Sequence, residues 1–347
     1  MSKAGAARKL ASAATYGGGG LSVLGAALFG VLATEARMAR NRIGEATLTV
    51  ADASGWYGRN RPGPAIRIAL LGDSSAVGYG VEHVEETPGA VLASGVAEAA
   101  DRRVHLRSFA LVGAQSSDLA NQVENALPGN PDVAVILVGA NDVTHVVRPS
   151  NSVRYLAEAV HRLHEAGVEV VVGTCPDLGT IKPIMPPLRQ VARTWSRRIA
   201  AAQTITVLEA GGRTVSLASI LGPEFLAAPA LFFGPDQFHP SAAGYRSLAQ
   251  VLLPSTLAAL GLAPDADPET TRGEGVLPIT AAAVQAVNQA GTELDSTEVG
   301  GHRIGMRGLW VTLRHRRRRT DLHPEAPAAT ETEPESDVES DEATAGA

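Results

Sequence analysis

Short apolar runs alternate with longer helical patterns between residues 66 and 260, and this order restricts the possible fold more than any other feature of the chain. The apolar runs predict buried strands at residues 66–71, 104–110, 133–138 and 168–173 and, as a weaker candidate, at 205–209. Helical periodicity covers residues 90–100, 117–126, 153–166, 188–203 and 242–260. Because helices of this length can connect parallel strands, we predict an α/β fold with a parallel sheet covered on both faces.

Composition divides the rest of the 347-residue chain around this central domain. The predicted segments are an apolar N-terminal segment (1–45), a linker rich in Gly and Pro (46–64), the α/β domain (65–263), a C-terminal extension (264–320) and an acidic tail (321–347). The extension contains a possible helix at 280–290 and a basic run at 314–319. The tail has too few apolar residues to offset the entropy of ordering it, so we predict that it is disordered.

Residues 10–34 carry no charged side chain and have three basic residues on either side. A run of this length can cross a bilayer, which predicts a signal anchor or an uncleaved signal peptide, with the protein at the cell membrane or exported. The alternative is a helix rich in Ala and Gly that packs on the domain of a cytoplasmic protein. The basic clusters on both sides leave the membrane orientation open.

Charge and cysteine content exclude some classes of protein. The net charge of −6 is modest and does not indicate nucleic acid as a partner. The single cysteine, Cys175, excludes an intramolecular disulfide and a cysteine-rich metal site. Cys175 follows the fourth predicted strand, where it either lines a pocket or is a buried structural residue. The sequence does not indicate an oligomeric state.

Ser74 follows the first predicted strand in the sequence Gly-Asp-Ser-Ser, which is typical of a tight turn. A serine on such a turn can expose its hydroxyl and its own N–H to a substrate, as nucleophilic catalysis requires. The same tripeptide is also common in ordinary turns and at helix N-termini. Ser75 offers an alternative hydroxyl.

Asp236 and His239 lie three residues apart, just before the last predicted helix. This offset in a turn can bring the carboxylate beside the imidazole that it would orient, and Pro240 helps to fix the loop. The alternative is a capping loop in which Ser241 caps the helix and His239 is only exposed.

Two further residues could stabilise an oxyanion, because each follows a predicted strand. Gly113 could present its backbone N–H, and Asn141 could donate from its carboxamide. Gly and Asn are also common wherever a strand ends in a turn. Asp142 is predicted to support its loop by hydrogen bonds, and it competes with Asp236 for the role of orienting acid.

These blocks, in this order and at strand ends, resemble the SGNH (GDSL) hydrolase family over about residues 66–260. The resemblance implies that Ser74 is the nucleophile, that His239 is the general base and that Asp236 orients it. It further implies an oxyanion hole made by the N–H groups of Ser74 and Gly113 and the Asn141 side chain. One departure is Ser75, which stands where the family usually has leucine.

The resemblance also implies a three-layer α/β/α fold like that of flavodoxin and esterase or lipase activity without a metal or cofactor. The expected substrate is a small-molecule or lipid ester, and membrane proximity would favour lipid or cell-envelope esters. A carbohydrate O-deacetylase or a thioesterase on the same fold is the alternative. A non-catalytic binding module would retain the pocket but lose members of this constellation, and a scaffold role through the charged C-terminal segments is compatible with catalysis.

Overall fold

The structure is a computed structural model that describes residues 28–38, 41 and 50–262 and three two-residue strands between 293 and 303. Most of the apolar N-terminal run, the possible helix at 280–290, the basic run and the acidic tail lie outside the described residues. Among the helices that are described, none has the length and apolar character needed to cross a bilayer.

Seven strands form one sheet, in the order β1-β3-β2-β4-β5-β6-β7. They are β1 (Gly55–Tyr57), β2 (Ile66–Gly72), β3 (Val104–Ser108), β4 (Val133–Leu137), β5 (Glu169–Gly173), β6 (Arg213–Val215) and β7 (Glu293–Leu294). Strands β3, β2, β4, β5 and β6 are parallel, whereas β1 and β7 pair antiparallel at the two edges. The sheet is therefore mixed and not wholly parallel as predicted, and β1 lies inside the segment predicted as a linker.

Helices connect the parallel strands, and further helices lie before β1 and after β6 in the chain. They are α1 (28–38), α2 (Ser74–Val77), α3 (Pro88–Ala100), α4 (Leu119–Ala126), α5 (Ala140–Thr144), α6 (Pro149–Glu165), α7 (Leu188–Glu209), α8 (Leu217–Ile220), α9 (Gly222–Ala227), α10 (Pro229–Phe232) and α11 (Ala242–Ala259). The weak strand candidate at 205–209 is wrong, because those residues form the last turns of α7. A further small antiparallel pair joins β8 (Glu298–Val299) to β9 (His302–Arg303).

The two faces of the sheet bury separate apolar clusters, which confirms the α/β fold with helices on both sides. Along β2, Ile66, Ile68 and Leu70 face a cluster that α3 and α11 complete. Ala69 and Leu71 point the other way, into a cluster closed by α4 and α6. This alternation follows from the two-residue period of a strand. The carboxyl ends of strands β2, β4 and β5 lie side by side at one end of the sheet, where ligands of such folds bind.

Candidate active site

The turn that carries Ser74 begins where β2 ends, and it requires glycine at position 72. Gly72 has a φ of +130°, and a Cβ there would lie 1.8 Å from the carbonyl oxygen of Leu137. The next residue, Asp73, caps α2 by accepting a hydrogen bond from the Ser75 backbone N–H at 2.8 Å. Ser74 is thus the first residue of α2, and it lines a cavity at the sheet edge.

The structure brings Ser74, His239 and Asp236 into one hydrogen-bonded chain. The Nε2 atom of His239 lies 3.1 Å from the Ser74 Oγ atom, and its Nδ1 atom lies 2.7 Å from the Asp236 Oδ2 atom. The other carboxylate oxygen accepts hydrogen bonds from the backbone N–H groups of Phe238 and His239, both at 3.0 Å. This geometry allows the imidazole to take a proton from the hydroxyl while the carboxylate orients the ring.

The surroundings of His239 favour an ionised Asp236. Burial raises the pKa of the Asp236 carboxyl, but hydrogen bonds from the His239 side chain and from the Phe238 and His239 backbone outweigh burial and hold that pKa below its usual value. The imidazole is also packed between two aromatic rings, with ring centroids 4.7 Å away for Tyr79 and 4.9 Å away for Phe238. The ring of His239 is therefore held by contacts on several sides.

Asn141 lines the same cavity from the second position of α5. Its Nδ2 atom donates to the Ala114 carbonyl oxygen at 3.0 Å, which ties α5 to the loop after β3. One N–H of the carboxamide is used in this way, and the second can donate to a bound group. Gly113 lies in that loop with a φ of +82°. It is exposed and stands outside the cavity lining, so its part in an oxyanion hole stays a prediction.

Asp142 does not contact His239, and its carboxylate is engaged elsewhere. It is buried and accepts hydrogen bonds from the backbone N–H and hydroxyl of Ser116 and, at 2.8 Å, from the hydroxyl of Ser152. These contacts fasten the loop after β3 to α5 and α6. The expectation that Asp142 supports its loop is confirmed, and Asp236 is the carboxylate beside the imidazole.

Asp73 is a second buried carboxyl beside the Ser74 turn. Burial raises the pKa of Asp73 to about 6, although hydrogen bonds from Ser75 and the charge of His239 act in the opposite direction. When Asp73 is ionised, its burial therefore lowers the free energy of unfolding.

Two buried glutamines hold the strand ends in place, and no sequence motif predicts them. The Gln122 side chain accepts from the Gly72 N–H at 2.7 Å and donates to the Gly72 carbonyl oxygen at 2.9 Å. Gln203 accepts from the Cys175 N–H at 2.7 Å and donates to the Val138 carbonyl oxygen at 3.1 Å. Each lies among the apolar, buried positions of its helix. A polar residue at such a position indicates a buried side chain with hydrogen-bond partners, and this is the pattern that could have predicted both glutamines.

The cavity beside Ser74 is predominantly apolar, and it extends from the hydrogen bonds of Ser74, His239 and Asp236 toward α8 and α9. Pro176 and Asp177 line it, whereas Cys175 is fully buried and outside the lining. Burial raises the pKa of the Cys175 thiol well above its usual value. Of the two alternatives for this residue, the structure selects the buried structural cysteine.

Residues 70–247 match the model of the GDSL-like lipase/acylhydrolase family. A GDSL-like esterase from Mycobacterium tuberculosis is 44% identical over 189 residues, in an alignment that covers 54% of this chain and 60% of that relative. The match thus spans less than two thirds of the relative's length.

Two solved structures are more distant. A variant of an acetyl-xylooligosaccharide esterase from Geobacillus stearothermophilus is 17% identical, with a TM-score of 0.45 over 56% of this chain and 94% of its own. A lipase/acylhydrolase from Enterococcus faecalis is 21% identical, with a TM-score of 0.41 over 54% of this chain and 93% of its own.

Proposed function

The chain belongs to the GDSL-like lipase/acylhydrolase family, and from that premise we propose that it hydrolyses carboxylic esters through a Ser74-His239-Asp236 triad. The observation that carries this proposal is the continuous hydrogen-bonded chain from the Ser74 hydroxyl through the imidazole to the Asp236 carboxylate. Such a chain is the arrangement that activates a serine hydroxyl as a nucleophile.

In the first half of the proposed reaction, the Ser74 Oγ atom attacks the ester carbonyl carbon while His239 Nε2 takes the hydroxyl proton. The imidazolium that forms is stabilised by Asp236, whose lowered pKa keeps it ionised. Collapse of the tetrahedral intermediate breaks the bond to the alcohol oxygen, and His239 returns the proton to that leaving oxygen. The product of this half is an acyl ester of Ser74.

In the second half, His239 takes a proton from a water molecule that attacks the acyl carbonyl, and the acid leaves as the Ser74 hydroxyl is restored. Both halves develop negative charge on the carbonyl oxygen. We assign its stabilisation to the N–H groups of Ser74 and Gly113 and to Asn141 Nδ2. No described residue accepts a hydrogen bond from either backbone N–H, so both can donate to substrate.

The test uses the purified full chain with p-nitrophenyl esters and, separately, with a fluorophosphonate that modifies activated serines. We expect turnover of at least one ester and a stoichiometric adduct that peptide mapping places on Ser74. An adduct on Ser75, or labelling without any ester turnover, would contradict the assignment. Thioesters and O-acetylated sugars in the same assay distinguish the thioesterase and O-deacetylase alternatives, and no turnover of any substrate would favour a binding module.

A further inference from the structure

The part of the cavity that lies beyond the reacting groups is built from buried apolar side chains. These are Leu178, Ile181, Leu217, Leu221, Phe225 and Phe233, each no more than 9% exposed. They come from the segment after β5, from α8, α9 and the residue between these helices, and from the segment after α10. A surface of this kind gains free energy when it covers an apolar group and offers nothing to a hydroxylated ring.

The polar side chains in this wall are already satisfied by the protein. Asp177 Oδ1 accepts from the Gly179 N–H at 2.8 Å, and its Oδ2 atom is paired with Arg193 at 3.1 Å and Arg197 at 3.0 Å. Thr180 donates to the Asp177 carbonyl oxygen at 2.8 Å. These two residues leave no side-chain donor for a sugar hydroxyl and the apolar side chains around them offer no polar partner, whereas an alkyl chain needs none.

Gly222 stands at the start of α9 and leaves this apolar space open. It is buried and lines the cavity. A Cβ built on it meets one described atom within 4 Å, the Asp177 Cβ at 4.0 Å, which is ordinary contact. Its φ is outside the left-handed region, but Gly222 is helical and precedes Pro223, a position that tolerates small side chains better than β-branched ones. A methyl group at position 222 therefore fits, and a larger side chain would take up space in the cavity that Gly222 lines.

We propose that this apolar space holds the acyl chain of the substrate, that esters of acyl groups longer than acetyl are preferred, and that Gly222 determines the chain length accepted. The proposal rests on the proposed esterase function and adds its substrate class. Burial of one methylene group contributes about 0.8 kcal/mol of binding free energy. This corresponds to about a fourfold increase in kcat/KM for each methylene, as long as the acyl chain still fits the cavity.

The test compares kcat/KM for p-nitrophenyl acetate, butyrate, hexanoate and octanoate in the full chain. We expect hexanoate to exceed acetate by at least roughly tenfold, following the gain per buried methylene. Gly222→Val should lower the hexanoate to acetate ratio by at least about tenfold, with most of the loss in the KM for hexanoate. Gly222→Ala fills less of the space and should give an intermediate ratio even if the valine variant folds poorly.

Gly55→Val is the matched control, because position 55 lies in β1, away from the cavity, and an added Cβ meets nothing within 4 Å. Its ratio should equal that of the unmodified chain. Acetate preference in the unmodified chain, or equal losses for acetate and hexanoate in Gly222→Val, would overturn the acyl-chain proposal alone. Failure to hydrolyse any ester, or turnover that survives loss of the Ser74 hydroxyl, would instead overturn the proposed esterase function.

Discussion

Ser74 and Ser75 are adjacent in the cavity lining, but only the Ser74 hydroxyl contacts the His239 imidazole. We predict that Ser74→Ala lowers kcat by a factor on the order of 10³ or more, because no other hydroxyl in the described part of the chain is hydrogen-bonded to His239 Nε2. Ser75→Ala is the matched control, and its kcat should stay within about tenfold. Thermal unfolding of both variants checks the fold, and a dead Ser75→Ala beside an active Ser74→Ala would contradict the assignment.

The raised pKa of Asp73 predicts a specific pH dependence of stability. The unfolded carboxyl ionises near 3.8 and the folded one near 6. Below pH 3.8 the carboxyl is neutral in both states, so it does not lower the free energy of unfolding. That free energy falls as the pH rises from the unfolded pKa to about 6, and it changes no further above the folded pKa. Asp73→Asn removes this penalty and retains an oxygen that can accept from the Ser75 N–H.

We expect the stability gained by Asp73→Asn to grow by roughly 2 kcal/mol between pH 4.5 and pH 8, measured by urea unfolding. Glu98→Gln on the exposed face of α3 is the control, and its difference from the unmodified chain should be flat over this range. A flat difference for Asp73→Asn as well would show that the buried carboxyl does not titrate as described.

At the level of secondary structure, strand β6 shows where local preference fails. Ile205, Thr206 and Val207 are β-branched, and such residues favour a strand when only neighbours in sequence are considered. The buried positions of α7 nevertheless continue at helical spacing through Gln203, Val207 and Leu208, so packing keeps this segment helical. Strand β6 forms after the helix ends, at Arg213–Val215, where three residues are too few to give a periodic signal.

Helix α4 illustrates how a secondary element positions the nucleophile. Gln122 forms both of its hydrogen bonds with the backbone of Gly72, two residues before Ser74. We predict that Gln122→Leu, which roughly keeps the side-chain volume, destabilises the fold by about 1–3 kcal/mol. The buried Gly72 N–H loses its partner, whereas the Gly72 carbonyl oxygen keeps the hydrogen bond that it accepts from the Leu111 N–H at 3.1 Å. The substitution should also lower kcat. Asn121→Ala on the exposed face of α4 is the control for urea unfolding, and an equal effect in both variants would argue against this role.

For the whole molecule, the sequence predicted which residues meet but not how the sheet brings them together. Ser74 and His239 are 165 positions apart in the sequence. They become neighbours because the loop before α11 lies beside the carboxyl end of β2. Residues at strand ends could be identified from motifs, since each stands beside a recognisable turn. The antiparallel edges and the contacts of Asp142, Gln122 and Gln203 depend on which elements pack together, and no local pattern encodes that.

The first described helix contacts the N-terminal end of α7. Helix α1 exposes Leu28 and Phe29, and its Glu35 carboxylate accepts from the backbone N–H of Leu188 at 2.8 Å. Leu188 is the first residue of α7, whose N-cap is a proline without a side-chain cap, so Glu35 satisfies one of the free N–H groups there. The last residues of the uncharged run, 28–34, are thus part of a helix that contacts the domain.

We propose that residues 1–36 hold the protein on a membrane with the α/β domain on the outer side. The uncharged run is long enough to span a bilayer, and basic residues precede it as in a signal sequence. The basic cluster after the run opposes this orientation, but large domains translocate largely regardless of their own charge. We expect the full chain to sediment with membranes, to resist a carbonate wash and to dissolve in detergent. Protease added to intact cells should degrade the domain, whereas protection until lysis would place it inside and a soluble chain would exclude the anchor.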